Sequence, residues 1–310
     1  VEEKMKGRGL IIAVIILAVL AGVLYWSQHG KLPAESAAVP SSVSPLILKV
    51  DPSAVTQLVV KRKGSDPVTL KKTEGKWQIT EPKPYRADQE AVAGVLSTLS
   101  ALSADRVVEE KAADRKQYGL EEPAAEVDIG TRQLMLGDDT PAGGDVYAAV
   151  AGDPRVFTVS SYTKTSLAKS LNDLRDKSLL TLDPDKVSRV ELLKKGQDLE
   201  FDRTKDGWQI LKPSASPADA SAVNDLVRSL TSARMDLTSA GNAAADFAHG
   251  TAIGTAKLIG ESGEQTLEVR KNKDDYYAKS SATEGTYKID SSLGAAFDKK
   301  LDDFESKKKT

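Results

Sequence analysis

"DPSAVTQLVVKRKG" at residues 51–64 and "DPDKVSRVELLKKG" at residues 183–196 are one phrase written twice. Downstream of each comes a second shared phrase, "WQITEPKPYRAD" at 77–88 and "WQILKPSASPAD" at 208–219. Trp-Gln-Ile-x-x-Pro recurs identically, and an Ala-Asp pair stands five residues past the proline in both. Weaker matches follow in the same order. Val127-Asp128-Ile129-Gly130 answers to Lys257-Leu258-Ile259-Gly260, Tyr147-Ala148 to Tyr277-Ala278, and Phe157-Thr158-Val159 to Tyr287-Lys288-Ile289. Length alone allows one or two domains, and self-similarity at a fixed period decides for two. The chain reads as two copies of one unit, residues 47–181 and 182–310, joined near Thr181.

Each copy reads as α+β. "QLVVKRKG", "VTLKKTEG" and "KWQITEP" are short β-rich runs separated by glycine-containing turns, the pattern of an antiparallel meander. After Asp88 the spacing of Val92, Val95, Leu96 and Leu99 (i, i+3, i+4, i+7) predicts a helix, and Val223, Leu226, Val227 and Leu230 repeat it after Asp219. Both aspartates fit as N-caps, accepting from first-turn N–H groups. Four more strands are expected in "AEVDIG", "RQLMLG", "DVYAAV" and "RVFTVS". A closing helix is expected to carry Leu167, Leu171 and Leu174 in the first copy and Phe297, Leu301 and Phe304 in the second. Strands followed by helices, twice over, give sheets with one face covered by a helical stripe. Trp77 and Trp208, at matching points of matching strands, read as core anchors.

Ahead of the copies stands "LIIAVIILAVLAGVLYW", Leu10 to Trp26, with no charged residue. As a helix it is roughly 25 Å long, near the lower limit for a hydrocarbon core of about 30 Å. Eleven of its residues are Leu, Ile or Val, which together favour insertion by roughly 3 to 7 kcal/mol. Lys4, Lys6 and Arg8 precede it, while Tyr25 and Trp26 stand at its far end in the manner of an interfacial belt. Residues 10–26 therefore read as a transmembrane anchor in the lipid bilayer, with 1–9 as a short cytoplasmic tail and the rest outside. The small-x-small sites Ala34-Glu35-Ser36 and Ser36-Ala37-Ala38 lie well past Trp26, which favours an uncleaved anchor over a cleaved signal peptide. Residues 27–46, rich in Pro, Ser and Ala without a hydrophobic period, read as a tether.

Composition excludes more chemistry than it suggests. There are 43 Lys and Arg against 45 Asp and Glu, interspersed throughout, so no nucleic-acid face is indicated. Without cysteine there is no disulfide, thiol nucleophile or Cys-ligated metal. Of two histidines, His29 falls in the tether, leaving His249 as the one imidazole for a folded site. A Ser-His-Asp triad or a histidine-rich zinc site then has almost nothing to build on. Phosphate-loop and dinucleotide glycine motifs are missing from the sequence. Asp138, Asp139 and Asp145 in "GDDTPAGGDVY" could gather oxygen ligands, but their spacing is not that of a calcium loop, and Gly, Pro and Asp suit a hairpin anyway. Ser161 and Lys164 have S-x-x-K spacing without its companion motifs, so Ser161 reads as a helix-start residue. Lys307, Lys308 and Lys309 complement the last helix dipole. No residue is assigned a catalytic, cofactor-binding or metal-binding role.

The order of a short basic start, a single span ending in "LYWS", a tether, "WQITEP…AD", an apolar helix, "YGLEEP" at 118–123 and "LMLGDDTPAGGDVYAAV" resembles the bacterial family called domain of unknown function 4340. The second copy departs at Phe247-Ala248-His249-Gly250, where the Tyr-Gly-Leu string would stand. The resemblance implies translation starting at Met5 and a single-pass protein of the bacterial inner membrane, mostly extracytoplasmic. It also implies genes beside ABC-type permeases and auxiliary proteins similar to those of gliding-motility transport, and it brings no assigned functional residues. The expectation is a non-enzymatic accessory or scaffold with a membrane-protein partner, an ABC-type permease or auxiliary subunit. An envelope hydrolase using carboxylates alone and a solute- or glycan-binding module are the alternatives.

Overall fold

The repeated phrase becomes a repeated meander. A computed structural model describes residues 44–238 and 241–306. The span at 10–26, the tether up to residue 43, His29 and Lys307–Lys309 lie outside the described residues. In the first copy β2 (Gln57–Arg62), β3 (Val68–Thr73) and β4 (Lys76–Glu81) follow β1 (Leu46–Lys49) and lead to the short β5 (Tyr85–Arg86). The β3–β4 turn is Glu74-Gly75, both at positive φ (51° and 79°), the two-residue geometry that matches strand twist. Helix α1 (Gln89–Ser100) comes next, then β6 (Ala101–Ser103), β7 (Arg106–Glu109), β8 (Ala125–Asp128), β9 (Gln133–Asp139), β10 (Asp145–Val150) and β11 (Val156–Ser160). Helices α2 (Ser161–Leu167) and α3 (Leu171–Leu174) close the copy.

The second copy runs β12 (Val187–Lys194), β13 (Gln197–Thr204), β14 (Gly207–Lys212), β15 (Ser216–Pro217), then α4 (Ala220–Thr231) and α5 (Ala243–His249). It ends with β16 (Thr251–Gly260), β17 (Gly263–Asn272), β18 (Asp275–Ser280), β19 (Thr286–Ile289) and α6 (Ser292–Asp298). The sheet orders are β5-β4-β3-β2-β8-β9-β10-β11-β7 and β15-β14-β13-β12-β16-β17-β18-β19. Their neighbours are antiparallel, so the architecture is mixed α+β with two mostly antiparallel sheets.

Both predicted helices form where the spacing places them. The Asp88 carboxylate accepts from the N–H groups of Glu90 and Ala91, and that of Asp219 from Ser221 and Ala222. Val92, Val95, Leu96 and Leu99 are buried on one side of α1, and Val223, Leu226, Val227 and Leu230 on one side of α4. Each helix packs into its own core: one from Leu48 to Leu174 that includes Trp77, the other from Leu179 to Phe304 that includes Trp208.

The expected closing helix is broken in two in both copies. Ser170 starts a new turn through a capping box, accepting from the Asp173 N–H while the Asp173 carboxylate takes its own N–H, so α2 stops at Leu167 and α3 begins at Leu171. In the second copy α6 gives way to a 3₁₀ turn at Leu301–Asp303 after Lys299 turns extended. Leu167, Leu174, Phe297 and Phe304 still reach the cores.

Each copy also has a lead-in segment. Strand β1 pairs antiparallel with β6. Its counterpart is the inter-copy stretch, where Leu179 N donates to Ala233 O and Met235 N to Lys177 O.

Candidate functional site

The end of the first copy folds back beside β5. Asp88 N donates to Leu174 O (2.8 Å) and Asp176 N to Arg86 O (2.9 Å), with a β-bridge between Ala87 and Arg175. This backbone pairing gathers Tyr85, Arg86, Arg175 and Asp176 on one edge. The edge meets Ala282, Thr283 and Glu284 of the second copy around a cavity of about 170 Å³.

Arg175 is the centre of that seam. Its guanidinium lies 4.0 Å over the Tyr85 ring and 5.3 Å from that of Tyr287, and Nη2 donates to the Tyr287 hydroxyl at 2.7 Å. The hydroxyl in turn donates to Glu284 O at 2.6 Å, so it is satisfied on both sides. Arg86 pairs with Asp176 (3.3 Å), donates to Thr283 Oγ1 (3.1 Å) and also reaches Ser178 O. Arginine keeps its charge across the physiological range, and the hydrogen bonds these two make here go to partners within the chain. The edge therefore orients the two copies at their seam.

A second cluster lies on the first copy's sheet, where "YGLEEP" meets "LMLGDD". The Tyr118 hydroxyl donates to Glu109 at 2.9 Å, and its ring packs 4.9 Å from that of Tyr147. The Glu109 hydrogen bond, with burial, holds the Tyr118 phenol above its ordinary pKa. Gly119 has φ +66°, and a Cβ there would come within 2.5 Å of the Asp138 carboxylate. Reciprocally, a Cβ on Gly137 would lie 2.1 Å from Tyr118 O. Leu120 completes a small apolar cluster with Ala149 and Val156. The two motifs are thus one contact in which glycines allow one backbone to cross another closely. The second copy fills the corresponding place with α5. Asn272 Nδ2 donates to Asp246 at 3.1 Å, and burial, then Asp246 and Asp275, hold the Tyr277 phenol high.

The acidic trio of the sequence divides among different neighbours. Asp138 lies against Gly119, Asp139 pairs with Lys164 at 2.9 Å, and Asp145 adds to burial in raising the carboxyl pKa of Asp105. Among the described residues no group of three or more His, Asp or Glu side chains converges as a metal site would require. Ser161 opens α2 behind the cap Ser160, and the Lys164 ammonium is spent on Asp139. His249 is exposed at the end of α5, its Nδ1 donating to Ala245 O at 2.8 Å. Trp77 and Trp208 are buried, and Trp208 Nε1 donates to Asn224 at 2.9 Å. Among the described residues no helix is long and apolar enough to cross a membrane.

Arg86 and Arg175 escaped the sequence reading, and Tyr287 entered it only as the repeat counterpart of Phe157. The available signal was a difference between the copies, Arg86 and Arg175 standing where the second copy has Pro217 and Glu305.

The chain matches the family model described as Domain of unknown function (DUF4340) over residues 77–241 and again over 208–309. No curated protein matches the chain.

Proposed function

The chain belongs to the family described as Domain of unknown function (DUF4340), and we propose that it is a membrane-anchored extracytoplasmic accessory or scaffold protein, a non-enzymatic component of an ABC-type envelope transport system. The observation that carries this reading is the uncharged run Leu10–Trp26 behind Lys4, Lys6 and Arg8, followed by a proline- and serine-rich tether and two fused α+β copies. In this reading residues 1–9 are cytoplasmic, 10–26 span the inner membrane, and 47–181 and 182–310 stand outside it.

A linker of about 20 residues that behaves as a coil has a root-mean-square reach of roughly 25 Å, so in this reading it suffices to lift the copies clear of the headgroups. Confinement to one membrane raises the effective concentration of a permease partner, so a modest interface suffices. The seam at Arg86 and Arg175 supports a presenting role, because it holds the two copies in one register and spends its charged groups on doing so.

The test is detergent extraction of the tagged full chain, pulldown and mass spectrometry, with a reporter fused at the C-terminus to fix orientation. Reproducible recovery of a permease or auxiliary subunit with an extracytoplasmic reporter is the expected result. A cytosolic reporter, or no reproducible membrane partner, would overturn the proposal.

A further inference from the structure

The seam has a counterpart inside the first copy. Phe157 and Tyr287 occupy the same position of β11 and β19, opposite Ala148 and Ala278 respectively. Each ring carries a guanidinium, but the source differs. Tyr287 takes Arg175 from the other copy. Phe157 takes Arg155 from its own copy, 4.9 Å from the ring, held by two hydrogen bonds to Asp153 (3.0 and 2.7 Å).

A second arginine accompanies each. In the first copy Arg115 donates to Asp153 O. In the second, Arg86 donates to Thr283 Oγ1, and Thr283 is the counterpart of Asp153. The place of Arg155 is taken in the second copy by Gly285, at φ +103°, where a Cβ would come 3.0 Å from the Tyr287 hydroxyl. That replacement leaves room for the incoming Arg175.

The donor edge has diverged in the opposite sense. The backbone pairing that sets Arg175 beside Ala87 is repeated by Glu305 beside Ala218, and Phe304 O accepts from Asp219 N as Leu174 O does from Asp88 N. Pro217, whose carbonyl accepts from Ser306 N, stands in the place of Arg86. The second copy thus has the geometry of the donor edge without its two guanidiniums.

We infer that the aromatic position shared by β11 and β19 is where one copy takes the next, open to Arg175 at half-buried Tyr287 but shut at Phe157, which is fully buried with Arg155 over its ring, and that Arg155 fills the first copy's seat so as to close the chain against head-to-tail docking of a second molecule of itself. The partner excluded is another copy of this chain, presenting the edge around Pro217 and Glu305.

The test opens the first copy's seat and returns the stacking guanidinium to the donor edge in the full chain, purified in detergent, as Arg155→Gly combined with Glu305→Arg. Light scattering after size exclusion should show an average protein mass that rises with concentration toward dimers and longer species. Wild type and the Glu305→Arg single variant should keep one lower mass. Should the glycine variant lose its circular-dichroism melt, Asp153→Asn with Glu305→Arg, which only loosens the anchor of Arg155, carries the same expectation. A folded double variant that keeps the wild-type mass at every concentration would overturn the inference.

Discussion

Arg175 and Tyr287 belong to different copies, yet the guanidinium of the first donates to the hydroxyl of the second at 2.7 Å while stacking on Tyr85 behind it. A charged hydrogen bond contributes about 1.5–3 kcal/mol, and a partly desolvated cation–π contact about 1 kcal/mol. Removing Arg175 should therefore cost the seam about 2–3 kcal/mol once the overlap of these terms is discounted.

That loss is visible through the two buried tryptophans, one in each core. In single-replacement backgrounds (Trp77→Phe or Trp208→Phe), urea transitions followed by the remaining buried ring should coincide in the parent chain and separate on Arg175→Ala. Tyr287→Phe, which keeps the ring and drops the hydroxyl, should shift the curves by about 1.5 kcal/mol, less than Arg175→Ala because the cation–π contacts survive. Coincident transitions in Arg175→Ala would show that the seam does not couple the cores.

At the crossing of "YGLEEP" and "LMLGDD", an added methyl group has no room. Gly119→Ala meets both a left-handed backbone and the Asp138 carboxylate, and should lower stability by about 1–3 kcal/mol. Gly137→Ala meets backbone at Tyr118 O and should cost more, since neither strand nor crossing segment can turn aside. Thermal melts that leave Gly137→Ala no worse than Gly119→Ala would contradict this ranking.

Asp88→Ala and Asp219→Ala should each destabilise by about 1 kcal/mol, each leaving two first-turn N–H groups without their cap. Because the caps serve different cores, the double variant should show close to the sum in a two-state denaturation fit.

The Arg155 hydrogen bond holds the Asp153 carboxyl below its ordinary pKa, against the opposing effect of burial. A depressed folded-state value gives stability that is fully present above the unfolded value of about 3.9 and is lost as pH falls through the lower folded one. Melting temperatures taken downward from about pH 5 should fall less steeply in Asp153→Asn than in wild type. Parallel acid limbs would rule out this contribution.

The parts of the fold that are local were readable from the sequence. The meander, the helices after Asp88 and Asp219 and the burial of Trp77 and Trp208 follow from alternation, helical spacing and capping within a few residues. The break in the closing helix was also written locally, in Ser170 and Asp173, but the apolar spacing of Leu167, Leu171 and Leu174 masks it. Strand β1 was harder, since four residues carry little periodicity and its pairing with β6 is settled by the core around Leu48. The seam depends on contacts such as Arg175–Tyr287, 112 positions apart, where propensity says nothing. Only the mismatch between otherwise matching copies marks those positions.

Ownership of the seam arginines gives the molecule a direction in time. Arg115, Asp153, Arg155 and Phe157 all emerge from the ribosome before Lys177, so the first seat can be furnished from what has already been made. The second seat borrows Arg86 and Arg175 from the earlier portion. A nascent chain thus meets its later half with a finished template in place, and the later half, made alone, would lack the residues that complete it.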